Sequence, residues 1–199
     1  TVLRWDIPLE HFEAFLHSMR MDLTVTEYRT FDDLYEYVYG SAAVIGLQMV
    51  PILEPIDDEA YDRAKDLGVA FQLANFIRDV GEDARRGRIY LPMELVRAHG
   101  INEFNPEDQQ QQVVLKDVVK EMTRIADDYY EKSFQTLNAF HPDSRIAIKA
   151  CIDVYRMLNT RIADSDLGIN HRESVPMMEK LKPLPASKFW RIPLAYLRP

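Results

Sequence analysis

Cysteine is almost missing from this chain: Cys151 is the single one in 199 residues. No internal disulfide can form, which fits a reducing, cytoplasmic compartment. Glycine is scarce too, with seven residues, and strand-like alternation is nearly absent, which argues against a β fold. Neither a P-loop nor a dinucleotide-binding glycine motif occurs. No 18 consecutive apolar residues occur, so no transmembrane span is expected, and no secretory signal peptide opens the chain. Basic residues are outnumbered, 24 Lys and Arg against 32 Asp and Glu, for a net charge of −8. That balance argues against a nucleic-acid partner but leaves a phosphorylated substrate open, because local charge decides that. The five histidines show no paired metal-ligand spacing and read as surface or capping residues. No Ser or Cys nucleophile constellation is present, and Cys151 reads as a core residue.

What is present is helical spacing. Pro8 suits the first turn of a helix over "PLEHFEAFLHSMRMDL", whose Phe12, Phe15, Leu16 and Met19 recur at three and four residues. Thr30 is placed to cap a second helix, "FDDLYEYVYGSAAVIGLQMVPIL", ended by Pro51 and Pro55. A third is expected from about Asp58 to Asp83, and a short one between Pro92 and Gly100. A long fifth helix is expected from Asn105 and Pro106 to about Phe140, with "QQQQ" (109–112) as its solvated first turns. His141 and Pro142 then break the pattern, and a sixth helix from Asp143 or Ser144 ends near Gly168. The proline-rich remainder has room for one or two short helices. The fold class is all-α: a single domain, residues 1–199, of long antiparallel helices. "TVLRWDIPLEHFEAF" enters structure at once with no initiator Met, as expected of a fragment or a processed chain.

The least ordinary stretch is "FQLANFIRDVGEDARRGRIYLP", residues 71–92. At 100° per residue, Ala64, Leu67, Gly68, Phe71, Gln72, Asn75, Asp79 and Asp83 fall in one broad sector of the third helix. Down that face the side chains change from small and apolar, to amide, to carboxylate, like the wall of an apolar channel with a polar mouth. A helix C-terminus disfavours acids, and Asp79 and Asp83, one turn apart, repel each other. A bound cation would relieve both. Paired carboxylates with an amide, Asn75, beside them suit magnesium, or manganese with its similar taste for oxygen donors. Arg78, Arg85, Arg86 and Arg88 could complete a diphosphate site. The other reading is a solvated acidic end paired with its own arginines, Arg78 with Glu82 above all. It does not explain why Gln72 and Asn75 share a face with Phe71 and Leu67.

In the second helix Tyr37, Ser41, Ile45, Gly46 and Met49 share a face at four-residue spacing. Its small residues Gly40, Ser41, Ala42, Ala43 and Gly46 permit either close helix packing or room for a ligand, and both readings stay open. "MRMD" (19–22) reads as a helix end with a core methionine.

"QLANFIRDVGEDARRGRIYLP" closely resembles the second aspartate-rich motif of the phytoene synthase and squalene synthase family, "Q-L-x-N-x-x-R-D-x-x-E-D" followed by arginines and "YLP". "MRMDL" and "YEYVYGSAAVIG" also resemble family segments, in the expected order, and the resemblance covers the chain to about residue 165. It implies an isoprenoid synthase-type helical bundle around a central channel. It also implies head-to-head condensation of two prenyl diphosphates through a cyclopropyl intermediate, with magnesium assisting loss of diphosphate. By matching position, Asp79 and Asp83, with Asn75 beside them, resemble the metal-binding residues. Gln72 shares their mouth, and Arg78, Arg88 and Tyr90 stand near diphosphate. Tyr37, Ser41, Ile45, Gly46, Met49, Ala64, Leu67 and Phe71 resemble channel-lining residues, with Tyr37 and Arg78 counted with the two aspartates as catalytic.

Two departures stand out. Ala43-Val44-Ile45-Gly46 occupies the place of the family's G-T-V-G, which would reshape the channel. The family's first aspartate-rich motif has no counterpart here and is expected upstream of Thr1. On that expectation the chain corresponds to the C-terminal two-thirds of the enzyme, holds half of the metal site and is inactive alone. The resemblance implies a phytoene synthase using geranylgeranyl diphosphate, with a C30 synthase using farnesyl diphosphate as the near alternative. A catalytically dead relative serving as an assembly protein is the alternative of another class, though such a relative should lose its acids first. A hydrocarbon product also makes a peripheral membrane contact an expectation.

Overall fold

A computed structural model describes residues 2–187, 189 and 190. Nine α-helices are assigned among them: α1 (Val2–Trp5), α2 (Leu9–Met21), α3 (Phe31–Val38), α4 (Val44–Met49), α5 (Glu59–Arg85), α6 (Met93–Ala98), α7 (Gln109–Gln135), α8 (Pro142–Asp164) and α9 (Met177–Lys180). No strand forms among the described residues, only two isolated bridges, Glu27 with Ile89 and Pro55 with Phe140. The all-α expectation holds. Of the short helices expected in the proline-rich tail, α9 is described; 191–199 lie outside the described residues.

The helix ends follow local chemistry. Thr30 and Asp33 form a reciprocal capping box at α3. α7 starts later than expected because Asp108, whose carboxylate accepts from Gln110 and Gln111 N–H, is the cap. Asn105 instead forms a turn onto Glu107 N–H. α8 starts at Pro142, one residue before the expected Asp143 or Ser144, behind a His141 cap. α5 runs two residues past Asp83 and is closed at Gly87, whose φ of +76° suits glycine.

The expected second helix is one continuous rod with a change of pitch. Between α3 and α4, Tyr39–Ala43 forms a π turn, in which Val44 N–H bonds the Tyr39 carbonyl. A 3₁₀ turn, Val50–Leu53, accommodates Pro51. A π turn holds one extra residue, so it sets the phase of the rod back by roughly 100°. Tyr37 therefore leaves the face that Ser41, Ile45 and Met49 keep. The buried Ser18 hydroxyl of α2 donates to the Tyr37 carbonyl at the entry to this turn, at 2.9 Å. By length and composition alone Phe31–Leu53 is long and apolar enough to cross a membrane, through an 18-residue window of mean hydropathy 1.2. Here it packs on α2 and α5.

α5 is the central element. It touches α4 and the π turn, α7 and α8, and buries Ala60, Ala64, Val69, Ala70, Leu73, Phe76, Ile77 and Val80. The rod of α3 and α4 crosses it through small residues. A Cβ on Gly46 would strike the Ala64 carbonyl, and one on Gly68 the Ala42 carbonyl. These two pairings run in opposite senses along the chain, so α4 and α5 are antiparallel. The small residues of the second helix thus serve close packing at Gly46.

Gly46→Val is expected to force the two helices apart at a backbone carbonyl. The cost of overpacking is about 1–3 kcal/mol, which lowers the melting temperature by roughly 2–12 °C. Thermal denaturation followed by circular dichroism checks this; an unchanged melting temperature contradicts the close crossing.

Candidate active site

A cavity of about 470 Å³ lies along one face of α5. Ala64, Leu67, Gly68, Phe71 and Gln72 of α5 form one wall, and Ser41, Ala42, Ile45, Gly46 and Met49 form the second. Ala147, Ile148 and Cys151 of α8 form the third, with Leu53 and Phe140 at the end remote from Gln72. That remote end is pinned by Ser144, whose hydroxyl donates to the Leu53 carbonyl at 2.9 Å, and by the Pro55–Phe140 bridge. Ser41, Ile45, Gly46, Met49, Ala64, Leu67 and Phe71, singled out from helical spacing, therefore all lie on the cavity. Gln72 stands at its polar end. Cys151 corrects the sequence reading: it is an exposed free thiol on the cavity wall, not a core residue. His11 is also corrected, since it is buried in α2.

Beyond Gln72 the same helix carries Asn75, Asp79 and Asp83, all half-buried. Asp79 is fully engaged. Arg78 grips both its oxygens, Nε to Oδ1 at 2.9 Å and Nη2 to Oδ2 at 2.5 Å. Arg172, from the segment after α8, donates Nε–H to Oδ1 at 2.7 Å. Burial alone would raise the Asp79 pKa, but the two guanidinium partners hold it below the usual carboxylate range. Asp83 is the opposite case. Burial first, then the nearby Asp79 charge, push it up to about 6. Arg78 thus pairs with its neighbour Asp79 rather than one turn on with Glu82.

The remaining arginines divide. Arg86 pairs with Glu82 at 2.6 Å and Arg85 reaches Glu107 and Asn170; both are more than half exposed. Arg86 follows the self-paired surface reading, while Arg85 pairs with residues of other segments. Arg88 folds back on Asp22 instead, with Nη1 to Oδ1 at 2.6 Å and Nη2 to the Asp22 carbonyl at 2.7 Å. Tyr37 and Tyr90 hydroxyls donate to the same carboxylate at 3.1 and 3.3 Å. Around it Tyr28, Tyr37, Phe76 and Tyr90 pack ring on ring, Phe76 and Tyr90 stacked at 4.2 Å. Burial is the main reason that the Tyr37 phenol sits far above its ordinary pKa.

Tyr37 therefore does not line the cavity, a correction whose cause is the phase shift at the π turn. Asp22 and Arg172 are the two residues that sequence reading missed. "MRMD" read as a helix end and as a family-like segment with no role for Asp22, and Arg172 lies 93 residues from Asp79, where no spacing rule reaches.

The donor set suits a hard divalent ion in chemistry, though not as a closed cage. Among the described residues no three His, Cys, Asp or Glu side chains gather to hold a metal by themselves. Two carboxylates one turn apart, one of them without a cationic partner among the described residues, are the kind of donors magnesium takes, with waters and phosphate oxygens completing its shell.

Comparison with known proteins gives a consistent result. The family model described as squalene/phytoene synthase matches residues 1–196. The chain is 36% identical over 177 residues to 15-cis-phytoene synthase from Enterobacter agglomerans, covering 87% of this chain and 60% of that one. It is 32% identical over 192 residues to chloroplastic phytoene synthase 3 from Zea mays, covering 93% and 45%. Its structure is similar to a ligand-bound dehydrosqualene synthase, with a TM-score of 0.82 and 28% identity, covering 97% of this chain and 66% of that one. The chain spans about half the length of the curated relatives.

Asp83 yields a prediction that needs no substrate. Its pKa in the folded chain is raised above that of the unfolded carboxyl, 3.8, to about 6. The protonated form is thus favoured by folding. Its stability contribution is complete below roughly pH 4 and is lost as pH rises through about 6. Asp83→Asn removes that loss. In thermal melts with a chelator present, the variant should melt above wild type at pH 7.5 and converge with it at pH 4. A variant that melts lower at pH 7.5 contradicts the repulsion.

Proposed function

The chain belongs to the squalene/phytoene synthase family, and from that premise we propose that it forms the product-side channel of a prenyltransferase. The reaction joins two geranylgeranyl diphosphates head-to-head, through a cyclopropyl diphosphate, to phytoene. One observation carries this reading: an apolar cavity and a carboxylate pair lie on one face of one helix.

The lengths favour the longer substrate. Asp79 and Ala64 are fifteen residues apart on α5, about 22 Å at the helical rise. The sixteen-carbon main chain of a geranylgeranyl group extends about 18 Å at the advance per bond of an extended backbone, and the farnesyl chain about 13 Å. With its diphosphate beside Asp79, a C20 chain reaches the Ala64 level, opposite Gly46 and short of Leu53. A C15 chain stops near Gly68. The similarity to a dehydrosqualene synthase keeps the C30 reaction from farnesyl diphosphate as the second reading.

Asp79 and Asp83, with Asn75 adjacent, would hold magnesium, which when bound supplies positive charge for the departing diphosphate. Arg78 keeps Asp79 ionised and oriented. Phe71, Leu67 and Ile45 exclude water from the apolar path. Gln72 marks the boundary between the two environments. Arg88 and Tyr90 act on this site through Asp22, by fixing the chain that leaves α5. A cytoplasmic enzyme in peripheral contact with a membrane accords with an apolar product. In support, residues 171–199 carry six Lys or Arg against two Glu in a chain that is acidic overall, and Met177, Met178 and Trp190 are exposed.

The full-length protein, with magnesium and geranylgeranyl diphosphate, is expected to release diphosphate and form a C40 polyene, assayed by chromatography. Asp79→Asn should lower turnover on the order of 100-fold or more while remaining folded; unchanged turnover removes the metal assignment. Met49→Trp should fill the cavity beside the Ala64 level and move the kcat/KM preference toward the C15 substrate by about tenfold. An unaltered C20 preference sinks the proposed depth argument.

A further inference from the structure

Asp79 has two arginine partners of different kinds. Arg78 is its neighbour on α5, largely covered, at 19% exposure. Arg172 comes from the far side of α8 and is 60% exposed, yet its Nε stands 2.7 Å from Asp79 Oδ1 and 3.7 Å from Glu82. Its backbone is held on both sides. Ile169 and Val175 are buried. Asn170 sits against Gly81, where no Cβ would fit, and donates to the Pro106 carbonyl at 3.2 Å. Glu173 is paired with His171 and Arg161. The anchors fix where the segment runs, while the Arg172 side chain remains free to leave without unfolding it.

Resting on the metal reading above, we propose that Arg172 is an exchangeable counter-ion of Asp79. It occupies a carboxylate oxygen of Asp79 in the metal-free protein, and a divalent cation binding Asp79 and Asp83 must displace it. Arg78 cannot fill this role, because its short tether on the same helix keeps it beside Asp79 in either state. Asp83, with no cation in side-chain contact among the described residues, is the oxygen donor left open. Arg172 thereby sets the metal affinity of the site before any substrate arrives.

The ion pair is largely exposed, so its weight is modest and salt-sensitive. Mn²⁺ titration of the substrate-free, full-length protein, read as loss of the free-ion electron paramagnetic resonance signal, tests it. Arg172→Gln should tighten Mn²⁺ binding about fivefold at low salt. Arg172→Lys, which keeps charge but loses the fork, should fall between it and wild type. The difference should shrink in high salt. Unchanged or weaker Mn²⁺ binding by a folded Arg172→Gln protein overturns the proposal, as does an Arg172→Lys protein indistinguishable from wild type at low salt. Asp79→Asn separates the two layers: if it binds Mn²⁺ as wild type does, Asp79 is no metal ligand and the reading beneath fails by itself.

Discussion

A backbone-to-backbone approach between α4 and α5 sets the remaining geometry. Gly46 lies on the Ala64 carbonyl and Gly68 on that of Ala42, so the two rods meet with no side chain between them. Two helices this close shed their larger side chains to the flanks of the crossing. On one flank those side chains, with α8 opposite, enclose the cavity; on the other they join the core with α7. Had Gly46 or Gly68 carried a Leu, the rods would separate and the cavity would lose its second wall. The constraint is steric first, and the apolar surface that it exposes follows from it.

The π turn supplies what a regular helix could not. Above it the rod must turn Tyr37 inward to Asp22, and below it must turn Ser41, Ile45 and Met49 onto the cavity. One inserted residue does both within a single rod. The aromatic group around Asp22 then has a mechanical use. Arg88, held by the Asp22 carboxylate and carbonyl, ties the chain leaving α5 to the end of α2. Phe76 on α5 stacks on Tyr90 in the same tie. The carboxylate end of α5 is thereby braced from one side, while Arg172 reaches it from the other.

Much of this was legible from residue spacing, and the limits of legibility are physical. The α5 face read correctly from Ala64 to Gln72 because an unbroken α-helix keeps one phase over many turns. The same arithmetic failed at Tyr37 because nothing in "YEYVYGSAAVIG" announces a change of pitch. Thr30 was readable as a cap, since its partner is three residues away; Asp108 was missed because Asn105 and Pro106 offered an earlier start. Asp22 with Arg88, and Asp79 with Arg172, are pairs made by the fold across 66 and 93 residues. Local sequence carries no trace of such pairs. Cys151 misled because its residue type favours burial, whereas here the cavity wall is where it lies.

The two aspartates, alike in sequence, are unlike in state, and that difference is the working asymmetry of the site. Asp79 is ionised and matched by two cations, while Asp83 is held toward its neutral form by burial and by Asp79 itself. A lone pair of equally exposed carboxylates would attract any passing cation weakly and nonspecifically. On the proposed metal reading, a cation must separate Asp79 from a guanidinium, and what it relieves is the repulsion between Asp79 and Asp83. Both terms lie on one helix at the polar end of an apolar cavity. A ligand that brings phosphate oxygens for the displaced arginine and an apolar chain for the cavity meets both ends at once. A bare metal ion meets only one. On the proposed reading, the site would favour a cation that arrives together with its substrate over one that binds alone.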